Sequence, residues 1–354
     1  MQVIKYKYSV DALKVCYSIN EIAYNRLTEE QIYNEITKEK ELIKEFIFKS
    51  PNSNDIYTED FRIVRIKDYL EFRILVPDEE GTGNLQDFGF LEVKSKNDKK
   101  FSGKCFITLD NRRLYEPFAV HHEVLSYKTP KEIITIESLS NISDYVKLPI
   151  KQPKTTKRIQ YNTIFFLKEM ANRLGLSLYS ISNLEIALDS NINFGKLIKK
   201  ANANPDLIPV INRMPYPDIN STVRLANTTV PYSTTRKRIV NMGYLLKQAK
   251  GELQLKCYNK VEEIQANNNN KAYIYKWLGW DTNIHRTEIT AKWSPIKAYC
   301  KSEGLSLEDF LYNLDSDDIL NVPFELWLNR LIHYKLVGEK EEMITVFDIV
   351  MKVK

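Results

Sequence analysis

At 354 residues the chain is longer than one compact core usually holds, and its 43% hydrophobic and 27% charged residues are ordinary for a globular protein. With 51 basic and 46 acidic residues the net charge is +5, which permits nucleic-acid binding without demanding it. No run approaches the roughly 18 apolar residues of a transmembrane helix, and Cys16, Cys105, Cys257 and Cys300 stand apart with no CxxC pair, which argues against zinc and a disulfide scaffold.

The opening MQVIKYKYSVDALKV lacks the apolar core of a signal peptide, so a reducing cytoplasm and no membrane partner are expected. Residues 1–115 read mostly as strands joined by polar turns. Thr28–Phe48 is the exception: Ile32, Ile36, Leu42, Ile43 and Phe46 are spaced as on a helix that Thr28 could cap. Asp60–Ile66 and Tyr69–Val76 look like paired strands, with a loop over 78–84. FGFLEVKS and GKCFITLDN follow as strands, the second ending in a turn at Asp110-Asn111.

No periodicity organises residues 116–158, although IITIESLS could be a strand. KLPIKQPKTTKR reads as an exposed connection, so a boundary is expected there. Domains over 1–150, 151–300 and 301–354 follow. Beyond it comes the clearest helix: Asn162 can cap it, Ile164, Leu167, Met170, Ala171 and Leu174 form its apolar stripe, and Gly175 can close it. SNLEIALDS is then a strand and FGKLIKKA a short helix. Residues 205–241 read as loops and short strands. Tyr244–Leu246 and Glu252–Tyr258 look like a hairpin, NNNN at 267–270 a low-complexity loop, and His285–Trp293 a strand. Residues 295–354 look helical, LEDFLYNL and FELWLNRLIHYKL most periodically so.

Two basic runs stand out: Lys151, Lys154, Lys157 and Arg158 in one, Arg236, Lys237 and Arg238 in the other. Each fits a solvated loop as well as a set of phosphate contacts.

Three strands share an unusual alternation. Leu184, Ile186 and Leu188 face one way while Glu185, Ala187 and Asp189 face the other. In ELQLKCYNKVEE, Leu253, Leu255 and Cys257 oppose Lys256 and Tyr258, with Lys260 and Glu263 just beyond the strand end. Arg286, Glu288 and Thr290 share a face of the third strand. Each alone also fits an edge strand with a solvated polar face. As neighbours in one sheet, they would gather acids, cations and a tyrosine into one patch. Carboxylates suit Mg²⁺ or Mn²⁺, and a metal-polarised phosphate could be attacked by a tyrosine oxygen.

Here the sequence resembles the trans-acting Rep family, rolling-circle replication initiators of small plasmids and the related nickases of mobile elements. GKCFITLDNRRL, the helix Ile164–Leu174 with NLEIALD, LKCYNKVEE and HRTEITAKW are similar, in order, to four of its segments; the last two resemble its I-R-I-Y-N-K-x-x-E and W-R-V-E-I-E-L-K-R. The resemblance implies an α+β fold of mainly antiparallel sheet, with helices packed on one face, two related halves and a helical C-terminal segment. It implies Tyr258 as the nucleophile that leaves a 5′-phosphotyrosyl link and a free 3′-hydroxyl. Glu185, Glu288 and Asp189 match its acidic positions and are expected to hold Mg²⁺ or Mn²⁺. Glu263 stands as a further ligand or base, and Arg286 and Lys260 as phosphate contacts.

Lys256 stands where the family has Arg, which keeps a DNA-contacting charge but loses the planar fork. Asn183 replaces the Arg that opens its acidic strand. The implied partners are duplex origin DNA and the single-stranded nick site; a host helicase and a homodimer are compatible with it. Two other readings stay open: a relaxase of a mobile element, and a non-catalytic DNA-binding protein that kept the fold. Tyr244, Tyr273 and Tyr275 lack a following Asn-Lys, and His121-His122 point to opposite strand faces, which disfavours them as a metal pair.

Overall fold

The computed structural model describes residues 5–28, 31–34, 39–42, 45–51, 57–67, 70–77, 85–115, 118–122, 157–161, 163–211, 214–215, 225–226, 242–247, 252–266, 271–314, 317–338 and 343–352. Eleven strands form one antiparallel sheet. In the first part of the chain these are β1 (Tyr6–Ile19), β2 (Glu45–Pro51), β3 (Tyr57–Lys67), β4 (Glu71–Pro77), β5 (Leu85–Val93) and β6 (Lys104–Leu109). The second part adds β7 (Leu176–Ser190), β8 (Leu225–Ala226), β9 (Met242–Lys247), β10 (Leu253–Asn259) and β11 (His285–Lys292). Their order across the sheet is β8-β9-β10-β11-β7-β1-β6-β5-β4-β3-β2.

Described strands from before and after residue 150 join the same sheet. β1 hydrogen-bonds to β7 on one side and to β6 on the other, so the two parts of the chain share a hydrogen-bonded centre. The expected pairing of Asp60–Ile66 with Tyr69–Val76 is present as β3–β4, and the hairpin before Tyr258 as β9–β10. Gly89 sits where β5 passes closest to β6: an added Cβ would overlap the Thr108 carbonyl and lie 3.1 Å from Leu109 Cα.

One face of the sheet carries the core. Leu184, Ile186, Leu188, Leu253, Leu255, Ile289 and Ala291 are buried there. The helices Thr163–Arg173, Phe194–Asn202, Trp293–Glu303 and Asp317–Leu331 pack around this core, Phe324 meeting Tyr8 edge-to-face at 5.4 Å. Gly175, at φ +66°, closes the first of these as its position suggests. Three short helices, Asn111–Tyr115, Lys260–Ala266 and Tyr273–Leu278, form a smaller cluster around Tyr115, Ile264, Ile274, Leu278 and Ile284. The fold is α+β.

Three expectations change. The described parts of Thr28–Phe48 are strands, with Gln31–Asn34 paired to Glu39–Leu42 and β2 beginning at Glu45. Thr28 ends the helix Glu21–Thr28 instead of opening one, its hydroxyl donating back to the Tyr24 carbonyl at 2.6 Å. The spacing of Phe46 (6% exposed) and Ile47 (43%) is the alternation of an edge strand, which helical counting misread. In the C-terminal segment, Ile332–Leu336 is a strand paired with Leu207–Ile211, alternating buried Ile332 and Tyr334 with half-buried His333. Tyr334 is anchored there by donating to Asn202 Oδ1 at 2.9 Å. Lys157 and Arg158 lie in a strand, Lys157–Tyr161, paired with Phe118–His122, and not in an open connection.

The Asn162 cap, the loop over 78–84, IITIESLS, the NNNN segment, Lys151, Lys154, Arg236, Lys237 and Arg238 lie outside the described residues. Among the described residues, no helix is long and apolar enough to cross a membrane.

Candidate active site

The three polar-faced strands are neighbours, with β11 between β10 and β7. Their register stacks the polar residues into cross-strand rows. Tyr258, Arg286 and Asp189 form one row, Lys256, Glu288 and Ala187 the next, and Gln254, Thr290 and Glu185 the third. Side chains opposite one another in antiparallel strands stand about 5 Å apart, so the rows form a continuous polar patch.

A fourth strand completes it. The register of β1 against β7 slips between Val10 and Ala12, leaving Asp11 as a bulged residue. The bulge turns the Asp11 carboxylate onto the patch, where one oxygen each from Asp11, Glu185 and Glu288 lie within 4.8 Å of one another. Sequence reasoning missed Asp11. The signal was a phase slip in β1: its buried apolar positions run Tyr8, Val10, then Leu13, Val15, Tyr17, Ile19, passing from even to odd across Asp11–Ala12.

Asp189 does not join this group, contrary to expectation. Arg286 donates from Nε to its Oδ1 at 2.8 Å and from Nη2 to its Oδ2 at 2.6 Å, engaging both oxygens, while Nη1 reaches Asp11 Oδ1 at 2.5 Å. The Tyr115 hydroxyl donates to the same Asp11 oxygen at 2.5 Å. Burial opposes ionisation of Asp11, but Arg286 and then Lys260 outweigh it and lower its pKa. Arg286 is itself 0% exposed. Its three bonds hold Asp11 and Asp189 in place.

Lys260 and Glu263 are sealed too. Lys260 Nζ lies 2.8 Å from Glu263 Oε2, Lys271 Nζ lies 3.0 Å from Glu263 Oε1, and the Lys260 ammonium sits 5.6 Å from the Tyr258 ring centroid. Burial, and then Arg286, depress the Lys260 pKa. For Glu263, the Lys260 and Lys271 charges overcome burial and lower its pKa. Both side chains are 0% exposed and support the wall behind Tyr258.

Tyr258 is buried, and its hydroxyl donates to Glu288 Oε2 at 3.0 Å. Burial, and then the Glu288 charge, hold the phenol well above its ordinary range, so it carries its proton. Lys256 was expected at the DNA; its ammonium lies between two carboxylates, contacting Glu185 Oε1 at 2.5 Å and Glu288 Oε1. Thr290 adds a hydroxyl to Glu185 Oε1 at 2.8 Å. Burial pushes Glu288 up to about 8, with the adjoining Glu185 adding to the shift. Glu185 moves the other way: burial is outweighed by its hydrogen bond with Glu288 and by Lys256. One ammonium thus serves two carboxyl groups, of which Glu288 keeps its proton up to about pH 8. The three carboxyl groups of Asp11, Glu185 and Glu288 could hold a metal ion.

An open cleft of about 440 Å³ has a lining that includes Asp110, Asn111, Arg112, Tyr273 and Lys271, the residue that pairs with Glu263. Tyr273 packs against Tyr115 with ring centroids 5.7 Å apart, and the Arg112 guanidinium lies 5.9 Å from the Tyr273 centroid. Trp277 meets Tyr115 edge-to-face at 5.2 Å. His285 is hydrogen-bonded with Asn283 at 3.2 Å.

No protein-family model matches the chain, and no curated protein matches it. Among solved structures, the chain is similar to the rolling circle replication initiator protein from Geobacillus stearothermophilus. That match covers 98% of this chain and 97% of the other, with 10% identity and a TM-score of 0.40.

Proposed function

We propose that the protein is a metal-dependent tyrosine nicking–joining enzyme that initiates rolling-circle DNA replication. The observation that carries this reading is the bond from the Tyr258 hydroxyl to Glu288, a member of the three-carboxylate cluster. A nucleophile, the group placed to take its proton and a set of hard-cation ligands meet within one sheet surface. The resemblance of LKCYNKVEE and HRTEITAKW to the Rep segments supports the same assignment.

Asp11, Glu185 and Glu288 would hold the divalent ion, which when bound would draw charge from the scissile phosphate and favour the phenolate. Tyr258 Oη attacks phosphorus, and its proton passes to Glu288 Oε2, which accepts that hydrogen bond and would be ionised with the divalent ion bound. The bond from phosphorus to the 3′ oxygen breaks, and that oxygen takes up a proton from water to become the free 3′-hydroxyl. The strand's 5′ phosphate stays on Tyr258, and reversal of these steps rejoins the DNA. Arg286, fixed by Asp189, holds Asp11 in the ligand set. Lys271, Arg112 and Tyr273 give the adjoining single strand a cleft with cations for phosphates and a ring for a base. The basic runs Lys151–Arg158 and Arg236–Arg238 contact the duplex.

Purified protein with Mg²⁺ or Mn²⁺ is expected to relax a supercoiled plasmid that carries the inverted repeats of its own encoding element, and EDTA is expected to stop it. Relaxation that persists in EDTA, or its absence with every such repeat, contradicts the proposal.

A further inference from the structure

We propose that Lys256 is a stand-in cation: its ammonium neutralises Glu185 and Glu288 until a divalent ion binds, and is then released toward the substrate phosphate. The inference rests on the reading of Asp11, Glu185 and Glu288 as metal ligands.

Lys256 and Glu288 are direct cross-strand partners, and the ammonium bridges Glu288 Oε1 to Glu185 Oε1. These oxygens belong to the residues whose ligand atoms converge within 4.8 Å. The remaining Glu288 oxygen accepts from Tyr258, and Glu185 Oε1 also accepts from Thr290. A Mg²⁺ ion needs ligand oxygens at about 2.0–2.1 Å in an octahedral set, which leaves no room for an ammonium seated between the same two carboxylates. One cation has to give way to the other.

Of the cations around the patch, Lys256 is built to leave. Arg286 is held at three points and fully buried, and Lys260 is fully buried against Glu263. The Lys256 side chain keeps 20% of its surface in contact with solvent. A lysine is a point charge on a four-carbon flexible stem, so it can turn away without the two-point contact that an arginine fork would have to break. Freed from the acids, the ammonium stands one row along β10 from Tyr258, on the same strand face, where a phosphate under attack would need a counter-charge.

The test uses Mn²⁺ alone, at one fixed pH and with no DNA. Free Mn²⁺ is counted by electron paramagnetic resonance during titration of wild type, Lys256→Met and the double variant Glu185→Gln/Glu288→Gln. Lys256→Met is expected to bind Mn²⁺ about tenfold more tightly than wild type, the equivalent of about 1.4 kcal/mol of ion pairing no longer displaced. It should nevertheless nick DNA more slowly. Equal or weaker Mn²⁺ binding by a folded Lys256→Met overturns the proposal. Loss of binding in the double variant keeps that failure distinct from failure of the metal reading; Mn²⁺ binding unaffected by the double variant overturns both.

A second measurement needs no substitution. In wild type, reductive methylation read by mass spectrometry should label Lys256 faster as Mn²⁺ is added. Labelling that slows or stays constant overturns the stand-in role.

Discussion

Arg286 grips Asp189 through two parallel hydrogen bonds, 2.8 and 2.6 Å long, and both residues are fully buried in the row that contains Tyr258. This ion pair lies beneath the site without opening to it, so its removal is expected to act first on stability. Arg286→Ala leaves Asp189 and Asp11 buried without their counter-charge and should cost about 3–5 kcal/mol. Arg286→Lys keeps the charge but loses the fork, with an expected cost of about 1.5–3 kcal/mol. Urea unfolding followed by circular dichroism measures both. An unchanged midpoint for Arg286→Ala would show that the row is not formed as described.

Glu288 gives the fold an unusual pH dependence in the absence of metal. Its carboxyl is pushed up to about 8 by burial and by Glu185, whereas an unfolded glutamate titrates near about 4.3. Between those values the native state holds a proton that the unfolded state has lost. The contribution of Glu288 is therefore complete below about pH 4 and drains away as pH rises to about 8. Asp11, Glu185 and Glu263 have lowered pKa values, so their contributions are complete above the ordinary carboxylate range and are lost only as pH falls below it. In EDTA the melting temperature should decline from pH 5.5 to 8, and Glu288→Gln should flatten that decline. Added Mn²⁺ should restore stability most at the alkaline end, because the ion binds the ionised form. A melting temperature that climbs over this window in EDTA would contradict the description of the cluster.

Arg112 borders the cleft, its guanidinium 5.9 Å from the Tyr273 ring centroid. Arg112→Glu is expected to weaken binding of a single-stranded oligonucleotide and to make the salt dependence shallower by about one unit of log–log slope. The buried cluster should be unaffected, so metal binding should match wild type. Fluorescence anisotropy across a salt series measures the slope. Identical slopes for the two proteins would remove the cleft from the DNA path.

How far the sequence anticipated this arrangement depended on whether a residue sits in regular structure. Glu185, Lys256, Tyr258, Arg286 and Glu288 were placed on one face by strand alternation, because β7, β10 and β11 keep their phase where those residues lie. Asp11 was hidden because its strand loses phase at the bulge, and strict alternation carries no provision for one extra residue. Asp189 was grouped with the metal ligands because alternation gives the face but not the partner; only the register opposite Arg286 shows where its oxygens go. The depth of Arg286 was equally invisible, since charged residues are rarely buried without partners and its partners, Asp11 and Asp189, are distant in sequence; Lys260 and Glu263 pair locally, but the second partner of Glu263, Lys271, lies beyond a turn. In the stretch after Thr28, apolar residues three and four apart suggested a helix, while pairing between neighbouring strands decided the outcome.

The central claim is that the Tyr258 oxygen becomes covalently joined to DNA, and the most direct measurement is of that bond. An oligonucleotide spanning the nick site, labelled on the 3′ side of the cut, is incubated with protein and Mn²⁺ and separated under denaturing conditions. Wild type is expected to carry the label, and peptide mass spectrometry to place it on Tyr258. Tyr258→Phe should fold, bind Mn²⁺ and carry no label. A labelled Tyr258→Phe adduct, or a wild-type adduct on Tyr244, Tyr273 or Tyr275, would contradict the account.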